Sequence, residues 1–254
     1  MAGRLRVLVT NDDGYLATGL KVLASAARVL GDVTVVAPDR EQSATSHSLT
    51  LHHPLRARPT PDKGGWTLDG TPTDCVMVGV SELMTERPDV VLSGINHGPN
   101  MGEDVLYSGT VSAAMEATVL GIPAIAFSFN GETIEDLPAW EEPVRRLLLS
   151  MLDEGAFPVN TLLSVNLPGL PPDRAAGVRV TTLGRRRYSD SITRALDPSG
   201  REYFWIGGGV SEWSGNHDSD FHAVAEGFVS VTPLHLDLTN YRLLEEIRGW
   251  GLEL

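Results

Sequence analysis

Two adjacent carboxylates, Asp12 and Asp13, follow the apolar run Leu5 to Val9 and precede Gly14. A run of that length and composition reads as a central parallel strand covered on both faces, and ligands of α/β proteins bind outside the carboxyl ends of such strands. Neighbouring residues of a regular strand point to opposite faces, so both carboxylates meet one ligand only where the strand has broken into a turn, which Gly14 permits. Two like charges that close raise one pKa unless a cation lies between them. A bound divalent metal is the economical reading of the pair; the plainer one is a polar strand-to-helix turn, because Asn, Asp and Gly are ordinary turn formers.

Two more strand ends supply oxygen donors. Val33 to Ala37 reads as a second buried strand opening into the polar loop Arg40 to Ser48, which offers Ser43. Val90 to Leu92 reads as a third, ending in Ser93, Gly94, Ile95 and Asn96. Such an oxygen-rich set suits Mg²⁺ or Mn²⁺ and not zinc, which takes His or Cys. The nearby imidazoles are His47, His52, His53 and His97. A loop His is ordinarily just solvated, and a substrate contact by His97 is the sharper reading. Tyr107 to Ala113, YSGTVSA, is a small-residue turn opening a helix. Its free amides, the hydroxyls of Ser108 and Thr110 and the positive end of the helix dipole would cradle a phosphate, although Ser108 as a plain N-cap explains the motif equally well. Together with a metal site, the turn points to phosphoryl chemistry.

The elements that must position these residues alternate. Leu20, Leu23, Ala24, Ala27 and Leu30 recur at helical spacing, with Gly31 where a helix C-cap would stand. Leu49 to Ala57 and Trp66 to Leu68 read as an antiparallel excursion. Thr71, Pro72 and Asp74 start a helix running to about Met84; another spans Ser108 to Leu120, and Ala124 to Phe129 is a strand. Strand and helix in alternation predict an α/β fold with a doubly wound, mostly parallel, Rossmann-like sheet. Further strands are read at Leu162 to Val165, Val178 to Thr182 and Phe228 to Val231, and a short helix at Tyr241 to Ile247. Tyr188 to Leu196 and Glu202 to Ile206, joined by the turn Asp197 to Gly200, form a candidate hairpin whose apolar second arm suits packing on another subunit, against the alternative of its own core. The basic run Arg185 to Arg187 reads as solvated surface before a substrate or subunit contact, and Asp218 and Asp220 as a second acidic turn with no metal assigned.

At 254 residues and 42% hydrophobic content the chain suits one α/β domain. A net charge of -13 argues against a nucleic-acid polymer as partner. The single Cys75 excludes an intrachain disulfide and a Cys-based zinc site, and its apolar surroundings make it a core filler. No signal-peptide pattern opens the chain and no apolar stretch reaches the ~20 residues of a membrane helix, so the expectation is a cytoplasmic protein without membrane contact.

Five blocks in order carry a resemblance: VLVTNDDG, VVAPDREQSATSHSLT, GTPTDCV, SGINHGPNMGEDVLYSGTVSAAMEA and DFHAVAEGFVSVTPL. With them the chain resembles, over essentially its full length, the SurE (survival protein E) family of metal-dependent 5'/3'-nucleotidases. The resemblance implies hydrolysis of nucleoside monophosphates to nucleoside and phosphate, in some members with action on short polyphosphate. It places metal ligands on Asp12, Asp13, Ser43 and Asn96, one Mg²⁺ or Mn²⁺ per subunit, with Asp12 and Asp13 catalytic. Phosphate contacts fall on Ser108, Gly109 and Thr110, with Asn11, Asn96 and Asn100 beside them. It also implies a homodimer or homotetramer joined through carboxyl-terminal elements, which suits a hairpin at about 185–207. A non-catalytic nucleotide-binding module and a sugar-nucleotide transferase are the rival readings of the same residues.

Overall fold

The structure, a computed structural model, describes residues 4–61, 64–153, 157, 160–188, 192–206 and 211–252. It opens with β1 (Leu5–Thr10), α1 (Thr18–Ala27), β2 (Gly31–Pro38), β3 (Ala57–Pro59) and β4 (Gly65–Leu68). Next come α2 (Pro72–Val78), running on into a π turn over Gly79–Leu83, then β5 (Val90–His97), α3 (Gly109–Val119), β6 (Ala124–Asn130), α4 (Glu141–Asp153) and β7 (Thr161–Pro168). The last third holds β8 (Gly177–Val180), β9 (Arg185–Tyr188), β10 (Ile192–Leu196), β11 (Glu202–Ile206), β12 (Ser211–Ser214), α5 (Asp220–Ala225), β13 (Phe228–His235) and α6 (Leu244–Arg248).

Nine strands form one sheet in the order β3-β4-β2-β1-β5-β6-β7-β13-β8. The run from β4 to β7 is parallel, while β3 and β13 run antiparallel to β4 and β7. Period-two alternation divides β1 between two cores. Val7 and Val9 pack with Leu20, Leu23, Trp140 and Val144 of the α1 and α4 side. Leu8 packs with Val76, Val111 and Ala114 of the α2 and α3 side. Each fully buried Val or Leu contributes about 1.5–3 kcal/mol relative to exposure, so this alternation fixes the register of the strand. From β1 the chain winds outward through β2 and β4 and then returns to β5 on the other side, leaving a topological switch point between the carboxyl ends of β1 and β5.

Local signals translate directly: Thr71 and Asp74 form a reciprocal capping box, and Ser108 caps α3 by accepting from the Val111 N–H at 3.1 Å. Other boundaries differ from the sequence reading. α1 stops at Ala27, and Gly31 is the first residue of β2 instead of a cap. The antiparallel arm before β4 is only Ala57–Pro59, because the chain ahead of it bonds to the α2 start: Asp74 accepts from Thr50 N at 3.0 Å and Thr50 Oγ1 at 2.6 Å. The hairpin is β10 with β11, whereas Tyr188, read as its first residue, belongs to β9 and pairs with Ser211 of β12. Positions 189–191 of that arm lie outside the described residues. The last helix begins at Leu244, later than Tyr241.

Away from the switch point, Arg6 of β1 donates to Asp89 from N (2.8 Å), Nε (3.0 Å) and Nη2 (2.7 Å). These bonds hold the Asp89 carboxyl below the usual carboxylate range. A depressed folded-state pKa means the stabilisation is complete above the unfolded value and is lost as pH falls through the folded one. Asp89→Asn is expected to lower stability at neutral pH by ~0.5 kcal/mol, the screened worth of a half-exposed pair, and by less in strong acid. Urea unfolding at the two pH values checks this; an equal loss at both would show that the charge contributes nothing.

Candidate active site

β1 ends in Thr10 and the chain turns through Asn11, Asp12, Asp13 and Gly14, the last at φ +94°. Asn11 is fully buried; its Nδ2 donates to the Gly14 carbonyl at 3.0 Å, and its Oδ1 has no hydrogen-bond partner among the described residues. Asp12 is 3% exposed and its Oδ1 accepts from the Thr110 hydroxyl of α3. Asp13 is half-buried and its Oδ2 accepts from the His97 N–H at the end of β5, at 3.2 Å. The Gln42 N–H donates to the Asp12 carbonyl at 2.7 Å, seating the loop after β2 on the same turn.

Loops from three strand ends and the start of α3 therefore meet at the switch point. At Gly109 a Cβ would lie 2.8 Å from Asp12 Cβ and 2.9 Å from its Oδ2, so the helix start reaches the carboxylate only because that residue has no side chain. Asn96 spends its Nδ2 on the Gly98 carbonyl at 2.8 Å, and among the described residues its Oδ1 receives no hydrogen bond. Ser43 is exposed on the 40–48 loop and its hydroxyl donates to Glu41 Oε1 at 2.7 Å. Asn100 is tied over the ends of β6 and β7: its N–H donates to Asn166 Oδ1 (2.9 Å), its Nδ2 to Ser128 Oγ (2.7 Å), and its carbonyl accepts from Asn166 Nδ2 (3.1 Å).

Burial pushes the Asp12 carboxyl up against the opposing bond from Thr110. It lifts Asp13 to about 6, with the neighbouring Asp12 charge as the second cause. Two desolvated acids with no ion-pair partner among the described residues are a standing electrostatic demand for a cation. Among the described residues no three His, Cys, Asp or Glu side chains are grouped to hold a metal, so the donors available beyond the carboxylate pair are amide and hydroxyl oxygens, as a hard cation prefers.

Several contacts around the site have no local signature. His47 Nε2 lies 2.8 Å from Oε2 of the buried Glu116 on α3, strapping the 40–48 loop to the helix. Ser46 N donates to the Tyr107 carbonyl at 3.2 Å, a second strap. His97 is exposed and meets Asp13 through its backbone. Arg186, read as solvated, is half-buried and ion-paired with Asp104. The side chain of Arg187 lies outside the described residues. Cys75 is buried, as expected of a core filler.

The model of the family described as Survival protein SurE matches residues 7–190. The chain belongs to the SurE family. It is 59% identical over 252 residues to a 5'-nucleotidase SurE of Gemmatimonas aurantiaca, spanning 98% of this chain and all of that one. A 5'-nucleotidase SurE of Geobacter metallireducens is 50% identical over 249 residues, 97% of each chain. The crystal structure of the SurE protein from Aquifex aeolicus superposes with a TM-score of 0.84 at 44% identity, covering 96% of this chain and 98% of that one.

Within this SurE fold the start of α3 meets the β1 turn through the close contact of Gly109 with Asp12. Gly109→Ala is expected to cost about 2 kcal/mol by overpacking against Asp12. Urea unfolding checks this, and wild-type stability in the variant would mean that the turn at Asp12 yields at no cost.

Proposed function

We propose that this protein is a metal-dependent 5'/3'-nucleotidase, hydrolysing nucleoside monophosphates to nucleoside and phosphate. The observation that carries the reading is the pair of desolvated acids at the switch point, facing the start of α3, in a chain whose relatives at 59% and 50% identity are named 5'-nucleotidases. One Mg²⁺ or Mn²⁺ per subunit would be held by Asp12, Asp13, Ser43 and Asn96. The donor set suits it: two carboxylates lifted by burial, an amide oxygen that receives no hydrogen bond among the described residues, and a hydroxyl on a loop seated against Asp12. The cation, when bound, supplies neutralisation of phosphoryl oxygens and a more acidic water.

The chain's own groups do the remainder. Ser108, Gly109 and Thr110, at the start of an eleven-residue helix, present its positive end to the phosphoryl group, with Asn11, Asn96 and Asn100 beside it. Asn11 Oδ1, buried and without a partner among the described residues, would take a bound water as donor. Asp12, pinned by Thr110, orients the site. Asp13, more open, is the better placed of the two to take a proton from the attacking water.

Net charge of -13 suits a small substrate over a nucleic-acid polymer. The exposed Tyr203, Phe204, Trp205 and Ile206 of β11 support a homodimer or homotetramer built through the hairpin. Among the described residues no helix is long and apolar enough to cross a membrane, and a cytoplasmic location is part of the proposal.

Phosphate release from a panel of 5'- and 3'-monophosphates, with and without chelator, tests the reading. Activity is expected to vanish on chelation and to fall at least about a hundredfold in Asp12→Asn. Binding without turnover would favour a nucleotide-binding module, and dependence on an acceptor a transferase. A second test uses the protons the site retains. A raised folded-state pKa keeps Asp13 protonated up to about pH 6, so below that value a cation must displace the proton. Mn²⁺ affinity should then fall roughly tenfold per pH unit for each proton displaced, and a flat profile across that range would remove Asp13 from the ligand set.

A further inference from the structure

The loop from β5 to α3 carries Asn100 and delivers the Ser108 to Thr110 turn, and a misplacement of about 1 Å in such groups costs on the order of a hundredfold in rate. One side of the loop is tied through Asn100 to Ser128 and Asn166. The other side is held by a residue 118 positions away in sequence. Asp220, at the start of α5, is fully buried, and its carboxylate takes three backbone N–H groups. Oδ2 accepts from Gly102 at 2.8 Å, while Oδ1 accepts from Gly184 at 2.9 Å and Phe221 at 2.8 Å. One oxygen thus serves the active-site loop alone.

The backbones on either side are in contact. A Cβ on Gly102, which sits at φ +56°, would lie 3.0 Å from the Gly184 carbonyl oxygen, and one on Gly184 would lie 2.5 Å from Phe221 Cδ1. Two residues beyond Gly184, the Arg186 N–H donates to Glu103 and its guanidinium pairs with Asp104, both in the turn Gly102–Leu106. The same guanidinium lies 4.8 Å from the Trp213 ring centroid, and Trp213 stacks on Phe221 at 5.1 Å. The base of the β9 and β12 ribbon is therefore built onto the turn 102–104.

We propose that Asp220 is a positioning residue of the active site: with Arg186 it clamps residues 102–104, so that Asn100 and the Ser108 to Thr110 turn stand at fixed distance from Asp12. A helix start needs only a cap. A buried carboxylate whose second oxygen reaches across to Gly102 spends a charge-assisted bond on the loop itself. The proposal rests on the nucleotidase reading above, and it separates from that reading because phosphate binding can be measured without turnover.

Asp220→Asn is isosteric; an amide whose oxygen keeps Gly184 and Phe221 turns its NH₂ on the Gly102 N–H, donor against donor. In the Mn²⁺-loaded protein the expected result is inorganic-phosphate affinity and kcat/KM for AMP each reduced about tenfold or more, with Mn²⁺ affinity within about twofold of wild type. Unchanged phosphate affinity would overturn the proposal, as would a parallel loss of Mn²⁺ and phosphate binding, which marks general destabilisation. Should Asp220→Asn fail to fold, Glu103→Ala removes the neighbouring clamp contact and is expected to weaken phosphate binding several-fold; wild-type affinity there overturns the proposal equally. Asp218→Asn, exposed two residues earlier, is the control expected to match wild type. Absence of phosphate release from AMP by the wild type would defeat the nucleotidase reading alone, leaving the phosphate-binding arm to decide this one.

Discussion

A buried carboxylate set next to a half-buried one is the constraint around which this molecule is arranged. Moving such groups from water into protein costs several kcal/mol per charge even after relaxation. The fold offsets part of that cost with what surrounds Asp12 and Asp13: the Thr110 hydroxyl, the His97 N–H and the positive end of α3. These donors do not restore ordinary acidity, since both carboxyls remain pushed up. The unmet remainder is an electrostatic demand that a bound cation would meet, so the burial of these groups has a use as well as a cost.

The switch point explains why four chain segments can serve one site. Parallel strands all end on the same edge of the sheet, and between β1 and β5 the winding separates, leaving room above the strand ends. Room alone gives no precision. Precision comes from polar bonds in buried surroundings, where each is costly to leave unmade. Asn100 is read from both sides by Asn166, and His47 is strapped to Glu116 across 69 positions. Loops here are as specified as strands, although no hydrophobic periodicity specifies them.

That difference marks what the sequence disclosed. Strand β1, the capping box of α2 and the Ser108 cap of α3 depend on residues within a few positions of one another, and they stand where pattern and propensity placed them. The turn at Gly14 was equally legible, since a left-handed residue after two acids has a local reason. By contrast, the pairing of β9 with β12 and the burial of Arg186 depend on partners from distant segments. Gly31 misled because glycine suits both a helix end and a tight strand start, and only the β1 neighbour distinguishes them. In the site, residue types were readable, but the commitment of the Thr110 hydroxyl to Asp12 was not.

An acidic chain serving an anionic substrate is no contradiction once distances are considered. At physiological ionic strength charges are screened over about 8 Å, so a net charge of -13 spread over the surface acts weakly inside a pocket faced by the start of a helix. Outside the pocket the same surface acts on everything that approaches. A monophosphate meets that repulsion with a single phosphate group. A polymer would meet it along its whole contact length. Global acidity thus weighs more heavily on an extended polyanion than on a single terminal phosphoryl group.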